Sequence, residues 1–152
     1  MPFGFANYVF YALGAGKVFL IEYDTFQVAS GELRLQTGGA SQPSSLAGSW
    51  GFEVSGAATG GAIDRAGQFV ADAQGGLLGN EDQNAPSLSP FSQVVGAGSS
   101  YAVDATGHGS LTLGTPGGTS GLSFYFVSPS QILMLGTLDG QQILVGEANR
   151  QP

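Results

Sequence analysis

The chain has 152 residues, enough for one domain, or one domain and a fragment. Hydrophobic residues make up 42% and charged residues only 10%, with 26 glycines, which is a composition of many strands joined by many turns rather than of a disordered chain. The net charge of −7 comes with only four Lys and Arg residues, spread along the chain, so the clustered cations that a phosphate backbone needs are missing and nucleic acid and anionic membranes are disfavoured as partners. There is no cysteine, so neither disulfide nor thiol chemistry is available, and compartment is left open. No apolar run approaches the roughly 18–20 residues of a membrane-spanning helix. The apolar stretch 3–13 lacks a preceding basic residue and alternates small with large side chains, so it reads as a strand and not as a signal peptide.

In chain order, residues 6–13 are rich in β-branched and aromatic types and predict a strand. A turn at 14–17, a strand at 18–23, a turn at 24–27 and a strand at 28–36 follow. Residues 37–47 are small and polar and read as a linker. The main unit, 48–152, is expected to hold strands at 50–55, 62–72, 77–82, 94–104, 110–115, 121–127, 132–138 and 142–149. Its longest loop is expected at 83–92, which contains Pro86 and Pro90, and a bulge is expected near Gly96 or Gly98. No window shows a 3.6-residue period. Short connections favour antiparallel hairpins. About eight such strands predict an all-β, antiparallel up-and-down barrel, because closure removes exposed edges.

The first 36 residues repeat the last three strands. Phe10-Tyr11 overlies Phe124-Tyr125, and 17–21 overlies 131–135, an offset of 114. After one added residue, Asp24 meets Asp139, Gln27-Val28 meets Gln142-Ile143, Gly31-Glu32 meets Gly146-Glu147 and Gln36 meets Gln151, an offset of 115. One barrel needs only one set of closing strands. The other set is an edge that invites pairing, so a homo-oligomer, most simply a strand-swapped dimer, is expected.

The segments Gly67-Gln68-Phe69-Val70-Ala71-Asp72-Ala73, Gly79-Asn80-Glu81-Asp82-Gln83-Asn84 and the run from Tyr101 to Leu113 resemble glycine-rich tandem β-repeats of predicted extracellular proteins from acidobacteria and other soil bacteria. That resemblance covers nearly the whole chain and implies a secreted or surface β-module without implying a reaction. Gly48-Ser49-Trp50 is similar, more weakly, to the Gly-x-Trp that opens lipocalin- and avidin-like barrels. There the indole closes one barrel end, and such barrels can hold a small ligand. The chain departs from secreted lipocalins in having no cysteine.

Candidate chemistry is sparse. His108 is the only histidine, and a general base or metal ligand is one reading of it. Its setting, Asp104-Ala105-Thr106-Gly107-His108, shares an Asp-Ala-x-Gly form with Asp72-Ala73-Gln74-Gly75. An Asp capping its own turn before a positive-φ glycine explains both. A histidine-centred metal site is disfavoured, and 81–84 lacks the loop form of a calcium site, so neither metal nor cofactor is expected. Strand alternation places Asn80, Asp82 and Asn84 on one face and Glu81 and Gln83 on the other, and one of these sets points into the barrel. A buried carboxylate among Glu81, Asp82 and Glu147 would suit acid–base work. The aromatics Trp50 and Tyr101, with Asn80 and Asn84, are candidate ligand contacts.

These residues give a ranked set of expectations. The first is a non-catalytic secreted or surface β-barrel module that binds a small ligand, a glycan or a protein partner. The second is a small cofactor-free hydrolase of esters or phosphoesters using Asp82, Glu81, Glu147 or His108. The third is a strand-swapped structural subunit.

Overall fold

The computed structural model describes residues 7–23, 29–37, 42–58, 60–85, 88–136 and 142–152. It is all-β apart from one turn of 3-10 helix at Pro43–Ser45. The chain forms two compact units, Met1–Thr37 and Gly38–Pro152.

The first unit is a three-stranded antiparallel meander of β1 (Tyr8–Ala12), β2 (Lys17–Glu22) and β3 (Ser30–Arg34), in the order β1-β2-β3. The second unit is a nine-stranded antiparallel sheet. Its strands are β4 (Gly48–Ala58), β5 (Gly61–Ala71), β6 (Leu77–Ala85), β7 (Leu88–Val95), β8 (Ser100–Val103), β9 (His108–Thr115), β10 (Gly118–Ser128), β11 (Gln131–Gly136) and β12 (Gln142–Arg150). They lie in the order β7-β6-β5-β4-β12-β11-β10-β9-β8. The sheet curls until its two ends meet. The Tyr101 amide donates to the Gly75 carbonyl at 2.8 Å, and the Gly96 amide donates to the Gly114 carbonyl at 2.9 Å.

Two expectations are corrected. The described residues of 83–92 are strand and not loop, because β6 runs on to Ala85 and β7 begins at Leu88. Pro90 falls where the β6–β7 register shifts, between the pairs Gln83↔Phe91 and Ala85↔Leu88, so it has no ladder partner to lose. The expected strand over 94–104 is two strands, separated by a turn in which the Ser99 amide donates to the Gly96 carbonyl and Gly98 takes φ +83. The main unit therefore has nine strands where about eight were expected.

Strand alternation sends one apolar set inward. Trp50, Phe52, Ile63, Phe69, Leu111, Leu113, Leu122, Phe124, Phe126, Ile132 and Met134 are all buried there. Each fully buried side chain of this kind contributes about 1.5–3 kcal/mol. Gly109, opposite Phe124 on the neighbouring strand, makes room for that ring: a Cβ there would lie 2.1 Å from it.

The repeat is structural as well as sequential. Every β1–β2 pair maps onto a β10–β11 pair at the offset of 114, as Phe10↔Leu20 onto Phe124↔Met134. Every β2–β3 pair likewise maps onto a β11–β12 pair, as Phe19↔Glu32 onto Leu133↔Glu147. The matches Asp24 to Asp139 and Gln27-Val28 to Gln142-Ile143 involve positions outside the described residues.

Candidate functional site

The two ends of the barrel differ in chemistry. One is sealed around Trp50, which is fully buried and donates from Nε1 to the Leu46 carbonyl at 2.7 Å. Its ring stacks on Phe69 at 6.5 Å and meets Phe126 edge-on at 6.4 Å. The Arg150 guanidinium lies 4.9 Å from the ring centroid, and its nitrogens donate to the carbonyls of Ser45 and Ala47 at 2.9 Å each. The segment just before β4, expected as a plain linker, thus supplies the plug in Leu46. The Tyr101 hydroxyl lies between the carbonyls of Asp72 and Pro43 at the same end. Burial, and then the Asp72 charge, push the Tyr101 hydroxyl above its ordinary value. Trp50 and Tyr101 therefore hold the closed end together.

Two turns here follow the expected Asp-capped form. Asp72 Oδ1 accepts from the amides of Gln74 and Gly76 at 2.8 Å, and Gly75 takes φ +106. Asp104 Oδ1 accepts from the amides of Thr106 at 2.7 Å and His108 at 3.2 Å, and Gly107 takes φ +82. The Gly76 amide, more than the others, holds the Asp72 carboxyl below its ordinary value; the Thr106 side chain does the same for Asp104. His108 Nδ1 sits 3.3 Å from Asp104 Oδ2, and its ring lies 4.8 Å from that of Tyr125. Asp104 and His108 form a partly exposed turn.

The other end carries the polar interior. Arg65 on β5 and Glu81 on β6 face inward with side chains 7% and 0% exposed, 3.9 Å apart. Arg65 hydrogen-bonds the Ser120 hydroxyl, near the β9–β10 turn. Glu81 Oε1 accepts from Gln93 Nε2 at 2.6 Å. Glu81 Oε2 is buried with no hydrogen-bond partner among the described residues. Gln83, two residues on, is also buried.

Strand parity in 80–84 is as expected, and the inward set is Glu81 and Gln83. Asn80, Asp82 and Asn84 are exposed on the outer face. Asp82 and Asn84 line an outer depression of about 490 Å³ with Glu53, Ser55 and Asp64. Asn80 belongs to a second outer depression, of about 500 Å³, walled by Val70, Leu78 and Val94. Glu147 also faces outward and accepts from Gln131 Nε2 at 3.2 Å and Asn149 Nδ2 at 3.0 Å. The four catalytic candidates are thus dispersed. Glu81 is inside, Asp82 and Glu147 are on the outer face, and His108 is in a turn. Because the alternation divides 81–84 between two faces, its side chains do not converge on one ion, and no group of three metal-ligating side chains occurs among the described residues. No helix among the described residues is long and apolar enough to cross a membrane.

Arg65, Gln93 and Ser120 were not singled out from the sequence. For Arg65 a signal existed, since it shares the parity of Ile63 and Phe69 on an alternating strand.

No family model and no curated protein matches the chain. Solved structures do. A redesigned β-barrel, mFAP1, bound to DFHBI, is 16% identical over 73% of this chain and 100% of its own, with a TM-score of 0.52. A de novo designed fluorescence-activating β-barrel is 13% identical over 74% of this chain and 100% of its own, with a TM-score of 0.53. The fold is an antiparallel β-barrel. At these identities the likeness concerns the backbone alone.

Proposed function

We propose that the barrel is a small-ligand-binding module, with its recognition groups at the Arg65–Glu81 end. The observation that carries this reading is Glu81 Oε2, a buried acceptor with no donor among the described residues. Leaving such a group unmade costs about 1–3 kcal/mol, and more when it is charged. Polar groups this few and this convergent in an apolar interior suit a ligand that is mostly apolar and carries one hydrogen-bond donor. Two barrels of like fold are described as binding DFHBI or activating fluorescence, which supports the same use of the scaffold. Placement outside the cell as a secreted or surface module rests on the sequence resemblance.

The test is fluorescence titration with DFHBI and a panel of environment-sensitive dyes, on the wild type and on an Arg65→Met/Glu81→Met double variant. Replacing both members of a buried ion pair by apolar groups is often neutral or stabilising, so the double variant is expected to fold. Saturable binding by the wild type, weakened at least about tenfold in the double variant, supports the reading; tenfold is the loss of about one charged hydrogen bond. Equal binding by both proteins, or none by the wild type, contradicts it.

A further inference from the structure

The outer edge of β3 is built like the outer edge of β12. In the barrel, β12 pairs with β4 so closely that a Cβ at Gly146 would lie 1.9 Å from the Glu53 carbonyl oxygen. The equivalent residue of β3, Gly31, would have nothing within 4 Å of its Cβ, and β3 is an edge strand of its sheet. The faces correspond in the same way. Phe124, Ile132 and Met134 are buried, whereas Phe10 is 70% exposed and Val18 and Leu20 are only half-buried.

We propose that β1–β3 is a spare closing sheet whose partner is the β4–β9 unit of a second copy of this chain. It takes the place of β10–β12 there, with β3 against β4 and β1 against β9. Continuity with an existing interface supplies the first argument, because the register of β1–β3 is that of β10–β12 at every pair. The inward-facing residues supply the second. Phe10 stands at the register position of Phe124, whose ring Gly109 makes room for, and the inward row Phe126, Ile132, Ala148 is replaced by the smaller but wholly apolar row Ala12, Val18, Leu33.

Charge complementarity supplies the third. In the barrel Glu147 sits directly opposite Glu53, and like charges at such positions are destabilising. The residue that would replace it, Glu32, is already neutralised. Lys17 Nζ lies 2.7 Å from Glu32 Oε2, and the Arg34 side chain bonds Oε1. These cations stand where the barrel has the neutral Gln131 and Asn149. Seating β1–β3 would therefore bring Lys17 and Arg34, with a net charge of +1 after Glu32, beside Glu53 and the carboxylates of the outer depression.

The chain has no cysteine, so single-cysteine variants report pairing directly. Full-length Glu32→Cys and Glu53→Cys chains are mixed, unfolded together, refolded and oxidised, then separated without reductant. Co-refolding lets both closing sheets compete for every vacated barrel. A Glu53→Cys/Glu147→Cys chain is the control for register, expected to form an intrachain disulfide because the two positions are directly opposite.

At about 1 mM chain, comparable to the effective concentration of a tethered segment, tens of per cent of the mixed sample should become a disulfide-linked heterodimer of the two variants, and far less at ~10 µM. The yield should also fall with added salt. Three results overturn the proposal, provided the control disulfide forms: no heterodimer at any concentration, homodimers of the Glu32→Cys chain in its place, or a heterodimer yield independent of concentration.

Discussion

The sheets β1–β3 and β10–β12 share register and the glycine at Gly31 and Gly146, yet differ in almost every energetic respect. Phe124 lies fully buried among aromatic neighbours, while Phe10, its counterpart, is 70% exposed. Gly146 is pressed against a neighbouring strand and Gly31 is clear. Glu147 is held by two amides and Glu32 by two cations. A sequence pattern thus determines which residues pair and which share a face. It does not determine what the face is buried against, and the burial decides stability.

Matched substitutions sharpen that contrast. Phe124→Ala should destabilise the barrel by about 3–5 kcal/mol, and Phe10→Ala should change the stability of the chain by less than about 0.5 kcal/mol, both read by denaturant unfolding. Equal costs would mean that the N-terminal face is as buried as the core. Gly146→Ala drives a methyl into the Glu53 carbonyl and should cost about 1–3 kcal/mol. Gly31→Ala should be neutral, or stabilising by about 0.5 kcal/mol, as expected where alanine replaces glycine in an open strand. Removing the like-charge pair with Glu147→Gln should raise barrel stability by about 0.2–1 kcal/mol, less at high salt. A loss instead would show that the hydrogen bonds from Gln131 and Asn149 outweigh the repulsion.

The smallest effect concerns pH. Hydrogen bonds from Lys17, and then Arg34, hold the Glu32 carboxyl below its ordinary value of 4.5. A carboxyl lowered in the folded state contributes stability that is fully present above about pH 4.5 and is lost as pH falls through its folded value. An NMR titration should find Glu32 titrating below that ordinary value, and Lys17→Ala should move it up. An unmoved titration would show that the pair is not formed in solution.

Much of this architecture was legible in the sequence. The barrel class, the hairpin order and the Asp-capped turns follow from alternation and glycine placement, and the repeat was visible through Phe10, Gly31 and Glu32. Three things were not. The run of β6 to Ala85 and the start of β7 at Leu88 were hidden by Pro86 and Pro90, because the sequence does not show the register shift at which Pro90 sits. The inward direction of Glu81 and Gln83 was hidden because parity gives two faces without naming the inner one. Here both faces are polar, so hydrophobicity could not choose between them. Which closing sheet fills the barrel was hidden because the two are so alike. The short β9–β10 connection at 116–117 gives β10–β12 a local, entropically cheap route to its place. The candidate site was the least legible part. Arg65 and Glu81 meet across neighbouring strands, and Ser120 reaches Arg65 from 55 residues away in sequence.

The contrast between the two sheets is tested most directly by native-state hydrogen exchange resolved to single amides in β2 and β11. The Met134 amide should exchange only on global opening, and the Leu20 amide at least about a hundredfold faster, as expected of a sheet without a covered face. Equal protection at both positions, at all protein concentrations, would contradict the account. It would mean that β1–β3 already has a covering partner within the single chain.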